Sequence, residues 1–162
     1  MTLDDLTLTA PTPGDGAAMW RVAQEVGLDP NSPYKYLVFC RDFATSSVVA
    51  RAGGDTVGFV TGYRRVDAPD TLFVWQVGVR PVARRHGVAA AMLDHLVAPP
   101  AGAGPGTGHL EATVTPQNSA SLQLFTAFAE RHGAPLRRSV LFPAALFPEP
   151  HDDEVLLRIG PL

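Results

Sequence analysis

Residues 71–89 constrain the fold more than any other stretch. Thr71 to Val79 is rich in aromatic and β-branched residues and reads as a strand. Arg80 to His86 turns the chain. A helical pattern opens at Gly87 and runs to Val97, with Val88, Met92, Leu93 and Leu96 apolar. A strand that enters a glycine-containing turn and then a helix presents unpaired backbone N–H groups at the positive end of the helix dipole. A phosphate or pyrophosphate fits there. Gly87 lets the backbone come close, Ala89 is small enough to do the same, and Arg84 and Arg85 add charge-assisted bonds. Read alone, one glycine beside two arginines is a plain strand-to-helix turn with solvated side chains.

The other elements surround this junction. Weak alternation predicts a strand over residues 3–10, and Met19, Val22, Ala23 and Val26 recur at helical spacing before a stop at Gly27. Ser32-Pro33 starts a second helix, since serine caps and proline tolerates the first turn. Tyr34, Leu37, Val38 and Arg41 share one face of it, and Tyr36, Phe39, Cys40 and Phe43 another. That predicts a largely buried helix. Strands follow over residues 47–52 and 57–66, forming with 71–79 an antiparallel meander. Residues 99–108 are almost only Pro, Gly and Ala and read as a mobile surface loop. A strand over 109–115, a helix over 118–132 and strands over 137–142 and 154–159 complete the chain. The fold class is α/β (α+β): a mixed, mostly antiparallel central sheet flanked by helices. With 162 residues, no repeat and no long linker, one domain over 1–162 is expected.

Charge and cysteine content narrow the partners. A net charge of -3 disfavours non-specific nucleic-acid binding. No apolar run approaches a membrane span, and the start Met1-Thr2-Leu3-Asp4-Asp5 is acidic where a signal peptide is basic. A cytoplasmic protein is the expectation. Cys40 is the one cysteine, so no disulfide forms within the chain, and it reads as a small buried residue. No histidine pair has metal-ligand spacing, so no metal is expected.

The pattern Arg84-x-x-Gly87-x-Ala89 after Val77-x-Val79 resembles the acetyl-CoA signature of the GCN5-related N-acetyltransferase (GNAT) superfamily, Q/R-x-x-G-x-G/A. The strand order and the later strand–helix unit over 109–132 are similar too. The resemblance implies acetyl-CoA as co-substrate, held by Val77, Val79, Arg84, Arg85, Gly87, Val88 and Ala89. It also implies contact between the coenzyme arm and Asn118, which otherwise reads as a helix N-terminal residue. The GNAT sheet splays between the strands corresponding to 71–79 and 109–115, and the pantetheine arm inserts there.

Four further runs resemble one branch of that superfamily, the L-2,4-diaminobutyrate acetyltransferases of ectoine biosynthesis. They are Leu28-Asp29-Pro30-Asn31-Ser32-Pro33-Tyr34, Asp70-Thr71-Leu72-Phe73-Val74-Trp75-Gln76-Val77, Leu110-Glu111-Ala112-Thr113-Val114-Thr115-Pro116 and Phe147-Pro148-Glu149-Pro150-His151-Asp152-Asp153-Glu154. The implied substrate is a small diamino acid with two ammonium groups and one carboxylate, acetylated on its 4-amino group. Asp29 and Glu154 then hold the two amines or select the one that reacts, Trp75 walls the pocket and offers its indole N–H to the carboxylate, and Tyr34 and His151 donate further hydrogen bonds. Read singly, Asp29 is a turn residue, Trp75 core, Tyr34 helix packing, and 151–154 a solvated charged edge. The branch also implies a homodimer, with which the apolar Val140, Leu141, Phe142 and Leu156 are compatible.

The chemistry requires a neutral amine, and an aliphatic ammonium with pKa ~10.4 is neutral in roughly one molecule per thousand at pH 7. Glu111 and Glu154 are the candidates to accept its proton. The N–H of Val77 or Gly78 is expected to face the developing oxyanion. Many superfamily members protonate the leaving thiolate with a tyrosine, but Phe125 stands at that position. Tyr34 or a water serves instead, or the thiolate leaves unassisted. Two other readings remain: a GNAT enzyme for another small amine or a protein N-terminus, and a non-catalytic acyl-CoA-binding module.

Overall fold

The structure, a computed structural model, describes residues 6–29, 31–98 and 106–162. Its elements are β1 (Leu6–Thr9), α1 (Gly16–Glu25), α2 (Pro33–Asp42), β2 (Val48–Ala52), β3 (Asp55–Arg64), β4 (Thr71–Val79), α3 (Val88–Val97), β5 (His109–Val114), α4 (Ser119–Arg131), β6 (Leu136–Phe142) and β7 (Glu154–Ile159). The expected elements are present with ends shifted by a few residues. The first strand begins at Leu6 among the described residues, the third at Asp55, and α3 at Val88 with Gly87 as its cap. The loop expected over 99–108 falls largely outside the described residues.

The strands hydrogen-bond in the order β1-β2-β3-β4-β5-β7-β6. Only β4 and β5 are parallel among the ladders with a resolved register, so the sheet is mixed and mostly antiparallel as expected. Two compact units emerge: residues 1–63 with 75–98, and residues 64–74 with 99–162. β4 contributes to both.

In the first unit, Met19, Val22 and Ala23 of α1 and Tyr36 and Cys40 of α2 bury against Val49 of β2 and Phe59 of β3. Ser32 caps α2 by accepting from the Tyr34 N–H at 3.2 Å, and Pro33 fills the first position. The expectation that α2 is largely buried is corrected. Tyr36, Phe39 and Cys40 are buried, while Tyr34 and Leu37 are exposed, because only one side of the helix faces a partner element. Gly58 permits a close approach: a Cβ there would lie 2.9 Å from the Gly78 oxygen and 3.2 Å from Met92 Cε.

In the second unit, α4 begins at an Asn118 side chain that accepts from the Ser121 N–H at 3.1 Å, and it stops before Gly133 at φ 60°. Phe125, Phe128 and Ala129 of α4 are buried, as are Leu110, Ala112 and Val114 of β5 and Leu157 and Ile159 of β7. The chain's last strand, β7, lies between β5 and β6. The parallel ladder pairs Thr71–Val74 with residues 109–112; beyond it β4 continues to Val79 and β5 to Val114.

Candidate active site

The loop after β4 has the geometry an anion requires. Pro81–Ala83 makes one tight helical turn, Arg84 is extended, and Arg85 and Gly87 both adopt left-handed conformations at φ 63° and 73°. Alternation of this kind aims successive N–H groups into a concavity. Gly87 caps α3 with no side-chain hydrogen bond, so the first N–H groups of the helix have no side-chain acceptor at the cap. Arg84, Arg85 and His86 are exposed around it, while Val88 is buried and anchors the helix beneath. A phosphate group fits this cradle on backbone geometry as well as on charge.

The strand leading into the loop is equally specific. The Arg80 N–H donates to Val57 O at 2.9 Å, and the Gly78 oxygen lies beside Gly58 of β3. Residues 78 and 80 therefore turn their backbone groups toward β3, and the alternation of a strand turns those of Val77 and Val79 to the other edge. Val79 O accepts from Arg84 Nε at 3.2 Å on that edge. The Val77 N–H thus faces the edge away from β3, and the Gly78 N–H faces β3.

Asp29, Tyr34 and Trp75 also belong to the first unit. Trp75 is not a core residue: it is 48% exposed. Its ring meets Phe39 at 5.2 Å between centroids, and the Lys35 ammonium lies 3.8 Å from its centroid. Lys35 Nζ also donates to Gln76 Oε1 at 2.9 Å, the same oxygen that accepts from Tyr36 Oη at 2.9 Å. Burial pulls the Lys35 pKa down to about 8, against an opposing pull from the Asp29 carboxylate. Asp29 is exposed, and its carbonyl receives Asn31 N–H at 2.8 Å, closing the turn that leads to α2. Tyr34 is 69% exposed at the first turn of α2. Lys35 and Gln76 were not singled out in the sequence. Their signal was an amide interrupting the apolar run of β4 and the sole lysine of the chain between two tyrosines.

In the second unit, His151 Nε2 lies 3.7 Å from Glu154 Oε1, and the imidazole stacks on Phe147 at 3.9 Å and 11°. Glu154 opens β7 and its side chain is 20% exposed, so solvent reaches it. Glu111 is buried in the middle of β5. Arg65 Nη1 donates to Glu111 Oε2 at 3.1 Å, and Arg158, its cross-strand neighbour on β7, binds Oε1. Both oxygens are committed to guanidinium donors. Asn118 is exposed, with its side-chain oxygen engaged in capping α4, and Phe125 is buried. Cys40 is buried with its thiol pushed up to about 11 by desolvation, which keeps it unreactive. Among the described residues no group of three or more His, Cys, Asp or Glu could hold a metal, and no helix is long and apolar enough to cross a membrane.

Residues 17–129, a span that runs through both units, match the acetyltransferase (GNAT) family. The chain is 53% identical over 161 residues to an L-2,4-diaminobutyric acid acetyltransferase from Streptomyces coelicolor, covering 98% of this chain and 94% of that one. A protein of the same description from Shouchella clausii is 42% identical, covering 97% of this chain and 88% of that one. Among solved structures, diaminobutyrate acetyltransferase EctA from Paenibacillus lautus superposes with a TM-score of 0.88 at 39% identity, covering 96% of this chain and 95% of that one. It is in complex with its substrate L-2,4-diaminobutyric acid and coenzyme A. Ard1 from Thermoplasma volcanium, at 17% identity and a TM-score of 0.72, shares the fold.

Proposed function

Because the chain belongs to the GNAT acetyltransferase family, we propose that it moves the acetyl group of acetyl-CoA to the 4-amino group of L-2,4-diaminobutyrate, a step of ectoine biosynthesis. The observation that carries this reading is the near-complete superposition on a relative that holds that diamino acid and coenzyme A. The amine attacks the thioester carbon directly, the C–S bond breaks, and coenzyme A leaves as thiol or thiolate.

Each residue's part follows from its surroundings. The α3 N-terminus with Arg84, Arg85, Gly87, Val88 and Ala89 takes the pyrophosphate. The outward backbone of Val77 and Val79 receives the pantetheine arm, with the Val77 N–H facing the developing oxyanion. Asn118 contacts the coenzyme arm. Asp29, Trp75, Tyr34 and His151 bind the diamino acid. Glu154 takes the ammonium proton and passes it on through the nearby His151 or to solvent. Glu111 was the other carboxylate considered; its lone pairs are occupied by Arg65 and Arg158, which favours Glu154. A thiol pKa near 8.5 lets the thiolate leave without a strong acid, so the buried Phe125 is no obstacle, with Tyr34 or water as the proton source.

The enzyme works as a cytoplasmic homodimer in this reading. Dimerisation is supported by edge strand β6, where Val140, Leu141 and Phe142 are all exposed. The reaction is tested by following free thiol with acetyl-CoA and a panel of amines. Fast release with 2,4-diaminobutyrate and little with lysine or spermidine is expected. Preference for another amine would overturn the substrate, and coenzyme binding without turnover on any amine would favour the non-catalytic module.

A further inference from the structure

Lys35 is the only lysine in the chain; the other twelve of its 13 basic residues are arginines. It is not on a solvated surface. Its ammonium lies 3.8 Å from the Trp75 ring centroid, 5.1 Å from that of Tyr36 and 5.8 Å from that of Phe39. It spends one N–H on Gln76 Oε1. The rings stabilise the cation without consuming its donors, so two N–H bonds remain for an acceptor. Asp29 is near enough to act electrostatically on Lys35, yet among the described residues Lys35 has no ion-pair partner.

Of the other cations of the first unit, Arg21 is exposed on α1 and lines a cleft with Glu25, Asp55 and Arg80, away from this cage. Arg51 pairs with Asp15, Arg41 with Asp42 and Arg80 with Glu25, while Arg84 and Arg85 belong to the coenzyme loop. A substrate that differs from a plain diamine by one carboxylate is told apart from it by donors that meet that carboxylate, and an ionised donor makes the strongest such bond. We infer that Lys35 and Asp29 read the amino-acid head of the substrate as a zwitterion, Lys35 taking the carboxylate and Asp29 the α-ammonium. The 4-amino group is then the one left free to react. This rests on the diaminobutyrate reading above and adds to it a basis for regioselectivity. Trp75 and Gln76 hold the ammonium in place before the substrate arrives, which spares part of the entropy of ordering a long side chain.

The experiment compares L-2,4-diaminobutyrate with its decarboxylated counterpart 1,3-diaminopropane in the wild type and in Lys35→Met, whose apolar side chain suits the aromatic cage. Losing a charge-assisted bond should lower kcat/KM for diaminobutyrate by about 10- to 100-fold. With 1,3-diaminopropane the change should stay within about threefold, since the uniform binding that remains is untouched. The retained diamine activity also shows that the variant is folded. An equal fall on both amines would mean that Lys35 only supports Trp75, and overturn the inference. Unchanged activity on diaminobutyrate would overturn it too. A wild type that uses both amines equally well would remove carboxylate recognition while leaving an acetyltransferase. A wild type that uses neither would sink the diaminobutyrate reading and this inference with it.

Discussion

The guanidinium of Arg84 is tied through Nε to the carbonyl oxygen of Val79, the last residue of β4, at 3.2 Å. The first arginine of the coenzyme loop is thereby set against the strand edge that precedes it. Its Nη donors have no hydrogen-bond partner among the described residues, and the turn around it is exposed. Arg84→Ala should raise the Kd for coenzyme A by about tenfold, the low end for a charge-assisted contact at an exposed site. Calorimetric titration checks this, and an unchanged Kd would remove Arg84 from the cradle.

Glu154 differs from the loop residues in what its loss should do. Glu154→Gln keeps the shape and removes the proton acceptor. Its kcat should fall by about 100-fold or more, while coenzyme affinity stays as in the wild type. Steady-state kinetics at saturating acetyl-CoA would show it; unaltered kcat and amine KM would exclude Glu154 from the reaction.

Glu111 is buried between Arg65 and Arg158. Glu111→Ala leaves two guanidiniums facing each other without the anion. Breaking a fully buried pair costs roughly 3–5 kcal/mol, but both arginine side chains keep about a third of their exposure, so we expect about 2 kcal/mol. Urea denaturation measures it. A variant of wild-type stability would mean that the cluster contributes no net energy.

Lys35 gives the stability a pH signature. Its pKa is about 8 in the folded chain against an ordinary 10.5. Below pH 8 both states carry the proton, and the full burial penalty weighs on the folded one. Between pH 8 and 10.5 the unfolded chain binds more protons at this site, so this term makes stability rise with pH. The difference in unfolding free energy between wild type and Lys35→Met should therefore shift in favour of wild type over that window. A pH-independent difference would contradict the buried ammonium.

The proposed dimer is tested at the exposed apolar run of β6. Phe142→Asp should shift the protein toward monomer in light scattering coupled to size exclusion, while coenzyme binding persists. A monomeric wild type would overturn the dimer, and a dimer of unchanged mass in the variant would remove β6 from its interface.

Local chemistry in the sequence carried much of this. β4 and β7 begin and end where their residue patterns place them, and Ser32-Pro33 starts α2 as its cap chemistry requires. The strand–turn–helix junction over residues 79–88 was legible because it is written in consecutive residues. The partners of side chains were not. Arg65 and Arg158 stand 46 and 47 residues from the Glu111 they bind, and Lys35 stands 41 residues from Gln76. No periodicity encodes such pairings. The burial of α2 was overestimated for a related reason: two apolar faces do not reveal which of them finds a partner. Trp75 taken singly reads as core and by resemblance as a pocket wall, and the tertiary structure leaves it 48% exposed against Phe39 of α2.

The place of β7 between β5 and β6 has a consequence for synthesis. β6 leaves the ribosome before β7, yet its one ladder partner is β7. Until Glu154–Ile159 emerges, β6 has no strand to join and its backbone N–H and C=O groups have only solvent or another nascent chain to meet. The final strand thus acts as a closing seam: a chain stopped short of it loses two ladders at once, and quality-control proteases should recognise it by the loose end that β6 becomes.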